Sequence, residues 1–113
     1  MAFLAPWRFT IASSTFALGL QVVFYVVMYD IPDTPRRAKL AKALKDFGER
    51  VQLSVFECIL EDRLFAQMLT RIGQTIVEAE DRVRVYRVCE GCKKEVKILG
   101  QGMLTEDPEV YIV

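Results

Sequence analysis

Few residues in this 113-residue chain are equipped for chemistry. There is no histidine, which removes the commonest general base and the commonest nitrogen ligand for a metal. Carboxylates, arginines, lysines, tyrosines and three cysteines remain. One carboxylate stands out by its setting. Tyr25-Val26-Val27-Met28-Tyr29 suits a buried strand, Asp30 closes it, and the turn Ile31-Pro32-Asp33 follows at once. An ionised carboxylate buried alone is costly, so Asp30 is expected where the strand emerges. Two roles fit it there. It could ligate Mg²⁺ or a similar hard cation, which prefers oxygen donors, or it could cap the turn and do nothing more. One carboxylate is too few for a cage built by a single chain. Two copies of Asp30 across a dimer axis would give two, with water and phosphate supplying the rest.

The second chemical feature is charge. Arg36, Arg37, Lys39, Lys42 and Lys45 place five cations and no acid within ten residues. Such a face suits contacts to a phosphate backbone, which position a nucleic acid without reading its sequence. The alternative is a solvated helix face. Arg82, Arg84 and Arg87 suggest a second cationic patch, while Glu78-Ala79-Glu80-Asp81 and Glu106-Asp107 balance the charge elsewhere. The net charge of zero therefore conceals local polarity. The third feature is Cys89-Glu90-Gly91-Cys92, which has the spacing of a metal knuckle. A zinc site needs about four ligands, and Cys58 is the only other thiol. A tight turn between strands is the expected role, and two chains would have to pool thiolates to hold zinc. Three cysteines make no disulfide framework, so a reducing cytoplasm is the expected compartment. No phosphate-binding loop, dinucleotide fingerprint or Ser/His/Asp set is present.

The elements that must position these groups follow in order. Residues 1–21 form an extension ahead of one domain spanning 22–113. The uncharged run from Phe9 to Tyr29 is long enough for a membrane span or a signal sequence. It contains Thr10, Ser13, Ser14, Thr15, Gly19 and Gln21, however, and no Ala-x-Ala-like site at its end, so no membrane association is expected. Residues 22–30 read as a strand buried on both faces. A helix is expected from Thr34 to Phe47, capped by Asp33 or Thr34, with Pro35 in its first turn and Gly48 ending it. Leu40, Ala41, Leu44 and Phe47 share its apolar face. Arg36 and Arg37 lie near that stripe in the first turn and should project toward the strand end carrying Asp30.

Val51–Leu60 reads as strand, with Val51, Leu53 and Val55 alternating against Gln52, Ser54 and Phe56. Ten residues are long for one strand, so the span could hold two short strands or a bend near Ser54. A second helix follows over 62–76, with Leu64, Phe65, Met68, Leu69 and Ile72 buried. Arg82–Val88 alternates as a strand, and Val96–Leu99 reads as a short further one. The fold class is α+β, a ferredoxin-like βαββαβ sandwich. The apolar tail Val110-Tyr111-Ile112-Val113 is expected to pair with the sheet of a second subunit, because an exposed edge needs covering.

An ordered set of segments carries a family resemblance. It comprises Tyr25–Ile31, Arg36-Arg37 opening a Lys-rich helix, Gln52–Cys58, and Val83–Arg87 ahead of Cys89-x-x-Cys92. Together they resemble the CRISPR-associated protein 2 family over about Val22 to Val113. The resemblance implies a ferredoxin-like homodimer whose C-terminal strand crosses between subunits. It implies a role in spacer acquisition, in which the dimer binds double-stranded DNA and bridges subunits of the CRISPR-associated integrase. It also implies metal-dependent nuclease activity on RNA or DNA, with an endoribonuclease or DNase as the alternative primary function. The metal-linked aspartate of the family matches Asp30, so one Mg²⁺ shared by two Asp30 is the implied cofactor. Arg36, Arg37, Lys39 and Lys42 are the candidate nucleic-acid contacts, with Tyr29, Ser54 and Phe56 in support. Single-stranded RNA is the alternative ligand. Family members usually lack a segment like 1–21.

Overall fold

The computed structural model describes residues 21–106. The expected extension at 1–21, except for Gln21, and the tail strand at 110–113 lie outside them. The elements run β1 (Val23–Asp30), α1 (Thr34–Leu44), β2 (Gly48–Gln52), β3 (Val55–Leu60), α2 (Asp62–Thr75), β4 (Arg82–Val88) and a single turn of helix, α3 (Glu90–Lys93). The sheet order is β2-β3-β1-β4, with every neighbouring pair antiparallel. Two helices cover one face. This is the α+β, βαββαβ arrangement the sequence pattern pointed to.

β1 is the central strand, and its alternation sets the two faces. Val23, Tyr25, Val27 and Tyr29 turn to the helices and are buried, as are Phe56, Cys58 and Leu60 of β3. They meet Leu40, Ala41 and Leu44 of α1 and Met68 and Ile72 of α2. Tyr25 stacks on Phe65 with ring centroids 4.1 Å apart. Phe24, Val26, Met28 and Asp30 belong to the other face, which carries no helix layer.

Four points are settled or changed. The 51–60 span holds two strands with a reversal near Ser54, as its length allowed: the chain turns at Leu53-Ser54, and Gln52 faces Val55. The register also shifts between Arg50 and Gln52, so the inward set in β3 is Phe56, Cys58 and Leu60. Val51 and Leu53, which alternated as one apolar set in the sequence, are exposed. The reversal gives the two adjacent strands that the βαββαβ plan needs before α2. α1 stops at Leu44, and three turn residues follow it, with Asp46 and Phe47 N–H groups reaching back three residues. Gly48 therefore opens β2 rather than ending the helix. Its φ is not positive; glycine is needed because a Cβ there would overlap the Glu57 carbonyl and Cys58 Sγ.

The third change concerns α2. Leu69 is 43% exposed, because the helix buries the Phe65–Met68–Ile72 line against the sheet and Leu69 falls beyond it. The last concerns the C-terminal side. Val96–Leu99 forms no strand, and Cys89–Cys92 makes a helical turn rather than a tight turn between strands. β4 and β2 are the sheet edges, and the segment after α3 runs across the uncovered face instead. Lys93 Nζ lies 5.4 Å from the Phe24 ring centroid, and the Thr105 N–H donates to Glu57 Oε1 at 3.1 Å.

Candidate nucleic-acid and metal site

Asp33 starts α1 as its N-cap. Its carboxylate accepts the Arg36 N–H at 3.0 Å, and Pro35 occupies the first turn, where its missing N–H costs nothing. The cap fixes where the two arginines go. Arg36 turns to the start of β4. Its Nε donates to Asp81 Oδ2 at 2.6 Å and its NH2 to Asp81 Oδ1 at 2.9 Å, a two-pronged pair, with Glu80 Oε1 at 3.0 Å. The Asp81 side chain is fully buried and also accepts the Val77 N–H at 2.8 Å. The Arg36 guanidinium, foremost, holds the Asp81 carboxyl below the usual carboxylate range. Arg37 folds back on the turn instead: NH1 donates to the Ile31 carbonyl at 2.7 Å and NH2 to Thr34 Oγ1 at 3.1 Å. Both arginines stand at the Asp30 end of β1, as the spacing suggested, but with intramolecular partners. The acidic run at 78–81 lies not elsewhere but against Arg36.

Asp30 ends β1 opposite Arg82 of β4 and is exposed on the uncovered face. Its carboxylate has no hydrogen bond or ion pair among the described residues. Tyr29 beside it faces the helix side and is buried. Tyr29 is clamped from β2 and the hairpin: its N–H donates to the Ser54 carbonyl at 3.1 Å, its hydroxyl to the Leu53 carbonyl at 3.4 Å, and Arg50 NH2 donates to that hydroxyl at 3.3 Å. Ser54 thus contributes its backbone. Phe56 is fully buried, with its ring centroid 6.3 Å from that of Tyr29 and the Arg50 guanidinium 5.6 Å from its own. Lys39, Lys42 and Lys45 are exposed on the outer side of α1. Sequence reasoning missed Arg50, Glu80 and Asp81. The strand-period pattern of β2 could have placed Arg50 near the hairpin, but no local signal links Asp81 to Arg36, 45 residues away.

The three β4 arginines do not form one patch. Arg82 and Arg84 share the uncovered face with Tyr86, whose hydroxyl accepts from Arg84 at 3.0 Å. Arg87 alternates to the helix side, opposite Tyr25, where burial is the main force lowering its pKa.

Residues 23–96 match the family model for CRISPR associated protein Cas2. The chain belongs to the Cas2 family. A curated relative, the CRISPR-associated endoribonuclease Cas2 1 of Chloroflexus aurantiacus, is 40% identical over 93 residues, covering 80% of this chain and all of the relative. The crystal structure of Streptococcus pyogenes Cas2 superposes with a TM-score of 0.61 at 34% identity, over 68% of this chain and 99% of that one. A chain of a partial Cas6-RT-Cas1–Cas2 complex gives a TM-score of 0.55 at 28% identity, over 68% and 90%. Both solved chains share the fold described above.

As a metal ligand, Asp30 has the right donor chemistry for a hard cation. Among the described residues, however, no group of three or more His, Cys, Asp or Glu side chains is gathered to hold an ion. The residues fit Mg²⁺ only if a second copy of the chain brings its own Asp30. Among the same residues, no helix is long and apolar enough to cross a membrane.

Proposed function

We propose that this Cas2-family chain works as a homodimer in CRISPR adaptation, binding double-stranded DNA and bridging subunits of the CRISPR-associated integrase. In the same reading it cleaves phosphodiester bonds with Mg²⁺ at a site shared by two Asp30 residues. The observation that carries the reading is the Asp30 carboxylate, which is exposed and without a partner among the described residues at the end of the central strand. Family membership and the relative found in a Cas1–Cas2 complex support the adaptor role. The uncovered sheet face supports dimerisation, because Met28 and Tyr86 are large apolar side chains exposed on it, with Val96 and Ile98 exposed in the segment that follows α3. Packing two such faces together would bring the Asp30 ends of the two sheets into one interface.

Within this reading the chain's own residues divide the work. Asp30 from each protomer would hold Mg²⁺. When bound, the ion supplies Lewis-acid stabilisation of charge on a phosphate. Tyr29, fixed by the Ser54 carbonyl and Arg50, and Phe56 beneath it, hold the strand end that presents Asp30. Lys39 and Lys42, exposed and without a partner among the described residues, make the backbone contacts. Arg36 and Arg37 shape the turn that presents them, because their guanidinium groups are already engaged. A relative named an endoribonuclease favours the second reading, in which cleavage of RNA or DNA is the primary function and single-stranded RNA the ligand.

The test is Asp30→Ala, assayed for cleavage of duplex DNA and single-stranded RNA with Mg²⁺ and with excess chelator, beside light scattering. Loss of cleavage by about 100-fold or more with the dimer intact supports the shared site, since this removes a group expected to act at the reacting centre. Cleavage that survives the substitution or the chelator assigns it to a contaminating nuclease. Co-purification with the integrase tests the adaptor role independently.

A further inference from the structure

The far end of the sheet carries a second constellation, one that the proposed function does not use. The chain leaves β4 at Val88, and Cys89 caps the turn of α3 with extended backbone (φ −72°, ψ 167°). Cys89 Sγ accepts the Cys92 N–H at 3.3 Å. That bond sets Cys92 on the turn directly beside Cys89. Both thiols are exposed, and neither is bridged. The Cys92 N–H, foremost, holds the Cys89 thiol below the ordinary thiol range, and the neighbouring Cys89 sulfur holds the Cys92 thiol above it. Cys58 makes the contrast: it is buried under the helices, and burial pushes it up to about 12. One sulfur of the exposed pair is therefore the better nucleophile, its neighbour is placed to resolve what it forms, and the third thiol of the chain is inert.

Two thiols are half a set for zinc but a complete set for a disulfide. Among the described residues no third ligand joins them. We propose that Cys89 and Cys92 form a reversible dithiol–disulfide site, with Cys89 as the attacking sulfur and a small disulfide of the glutathione type as co-substrate. The steps balance. Cys89 thiolate attacks one sulfur of the small disulfide, breaks its S–S bond and releases one thiolate, leaving a mixed disulfide on Cys89. Cys92 gives up its proton, and its sulfur attacks Cys89 Sγ. The second small thiolate leaves as the Cys89–Cys92 bond closes. The two protein thiols lose two protons and two electrons, and the small disulfide is reduced to two thiols.

The location gives this exchange a structural consequence. The pair sits where the chain turns from the edge strand onto the uncovered face, one residue before Lys93 packs over Phe24. Bridging it constrains the anchor of the segment that continues to the Thr105–Glu57 contact. The pair is also remote from Asp30. Val88 pairs with Phe24 and Arg82 with Asp30 at opposite ends of one ladder, about 20 Å apart at ~3.3 Å per residue. The site can therefore be tested without reading cleavage.

The experiment equilibrates the reduced full-length chain with glutathione buffers from fully reduced to fully oxidised. Thiols are then trapped with a maleimide, and the intact mass and peptides are read. The expected product is lighter by two hydrogens, linked Cys89 to Cys92, with Cys58 still reduced, and it reverts in dithiothreitol. Cys92→Ser should accumulate a stable glutathione adduct on Cys89. Cys89→Ser should slow reaction with glutathione disulfide by about tenfold or more, and Cys58→Ser should change neither. Three results would overturn the proposal. They are the absence of a bridged species in the unmutated chain at every buffer ratio, a chain-to-chain disulfide as the main product, and co-purified zinc that shields both thiols from the maleimide.

Discussion

Asp30 and Asp81 stand at the same end of the β1–β4 ladder, Asp81 one residue before the Arg82 that pairs with Asp30. Their surroundings could hardly differ more. Asp81 is buried on the helix side, gripped by both prongs of Arg36 and by the Val77 N–H. Asp30 is exposed on the uncovered face with no partner among the described residues. A buried carboxylate that is fully hydrogen-bonded has its capacity used up and serves the fold. An exposed one at the tip of a rigid central strand keeps its lone pairs for something outside the chain. Two aspartates at one sheet end thus serve stability and proposed chemistry separately, and the sheet itself keeps them apart.

That contrast can be broken by experiment. The largest effect is expected on the Asp81 side. Arg36→Ala leaves a buried carboxylate without its counter-charge, so its melting temperature should fall by the largest margin in the set, well beyond that of any lysine variant of α1. Calorimetry that finds Arg36→Ala as stable as the parent would show that Asp81 has another source of support. Acid stability should track the same pair. Because the folded Asp81 pKa is depressed, its contribution is complete above the unfolded value of about 3.9. It is lost as pH falls through the lower folded pKa. Asp81→Asn should lower the melting temperature at pH 7 and flatten its decline below pH ~4. An unchanged acid limb in that variant would locate the acid sensitivity in other carboxylates.

Smaller effects belong to the exposed groups. Lys39→Ala with Lys42→Ala should weaken duplex binding for all sequences alike and reduce the slope of log K against log salt by about 1 to 2, the loss of one or two phosphate contacts. An unchanged slope would move the binding face off α1. The smallest effect is on the other member of the pair: Asp30→Asn should shift stability by no more than about 0.5 kcal/mol, as surface substitutions do. A large loss there would make Asp30 a structural residue and end the comparison.

Much of this fold was legible along the chain because its signals are local. The run ending at Asp30, the Asp33 cap with Pro35 behind it, the apolar stripe of α1 and the two-residue period of Arg82–Val88 each depend on a few neighbouring residues. The misreadings arose where one residue type serves two purposes. Gly48 looked like a helix terminator and is instead the point where β2 passes too close to Cys58 for a side chain. Val51, Leu53 and Val55 alternated as one apolar set until the hairpin and the register shift broke that set up. The site was less legible. Arg36 and Arg37 were placed at the correct end of β1, but whether a guanidinium faces a ligand or a carboxylate of its own chain is not a local property.

The sequence by itself determined the element types, the βαββαβ plan and the candidacy of Asp30, since periodicity, capping and the cost of burying an unpaired charge act over short stretches. It also supplied the ordered motifs shared with the Cas2 family. The tertiary structure alone decided which charges remain available. Closing the sheet brings Asp81 across 45 residues to Arg36, and the pleat sends Asp30 and Tyr29 to opposite faces. Pairings of that separation depend on how strands register and helices pack, and no single segment encodes them.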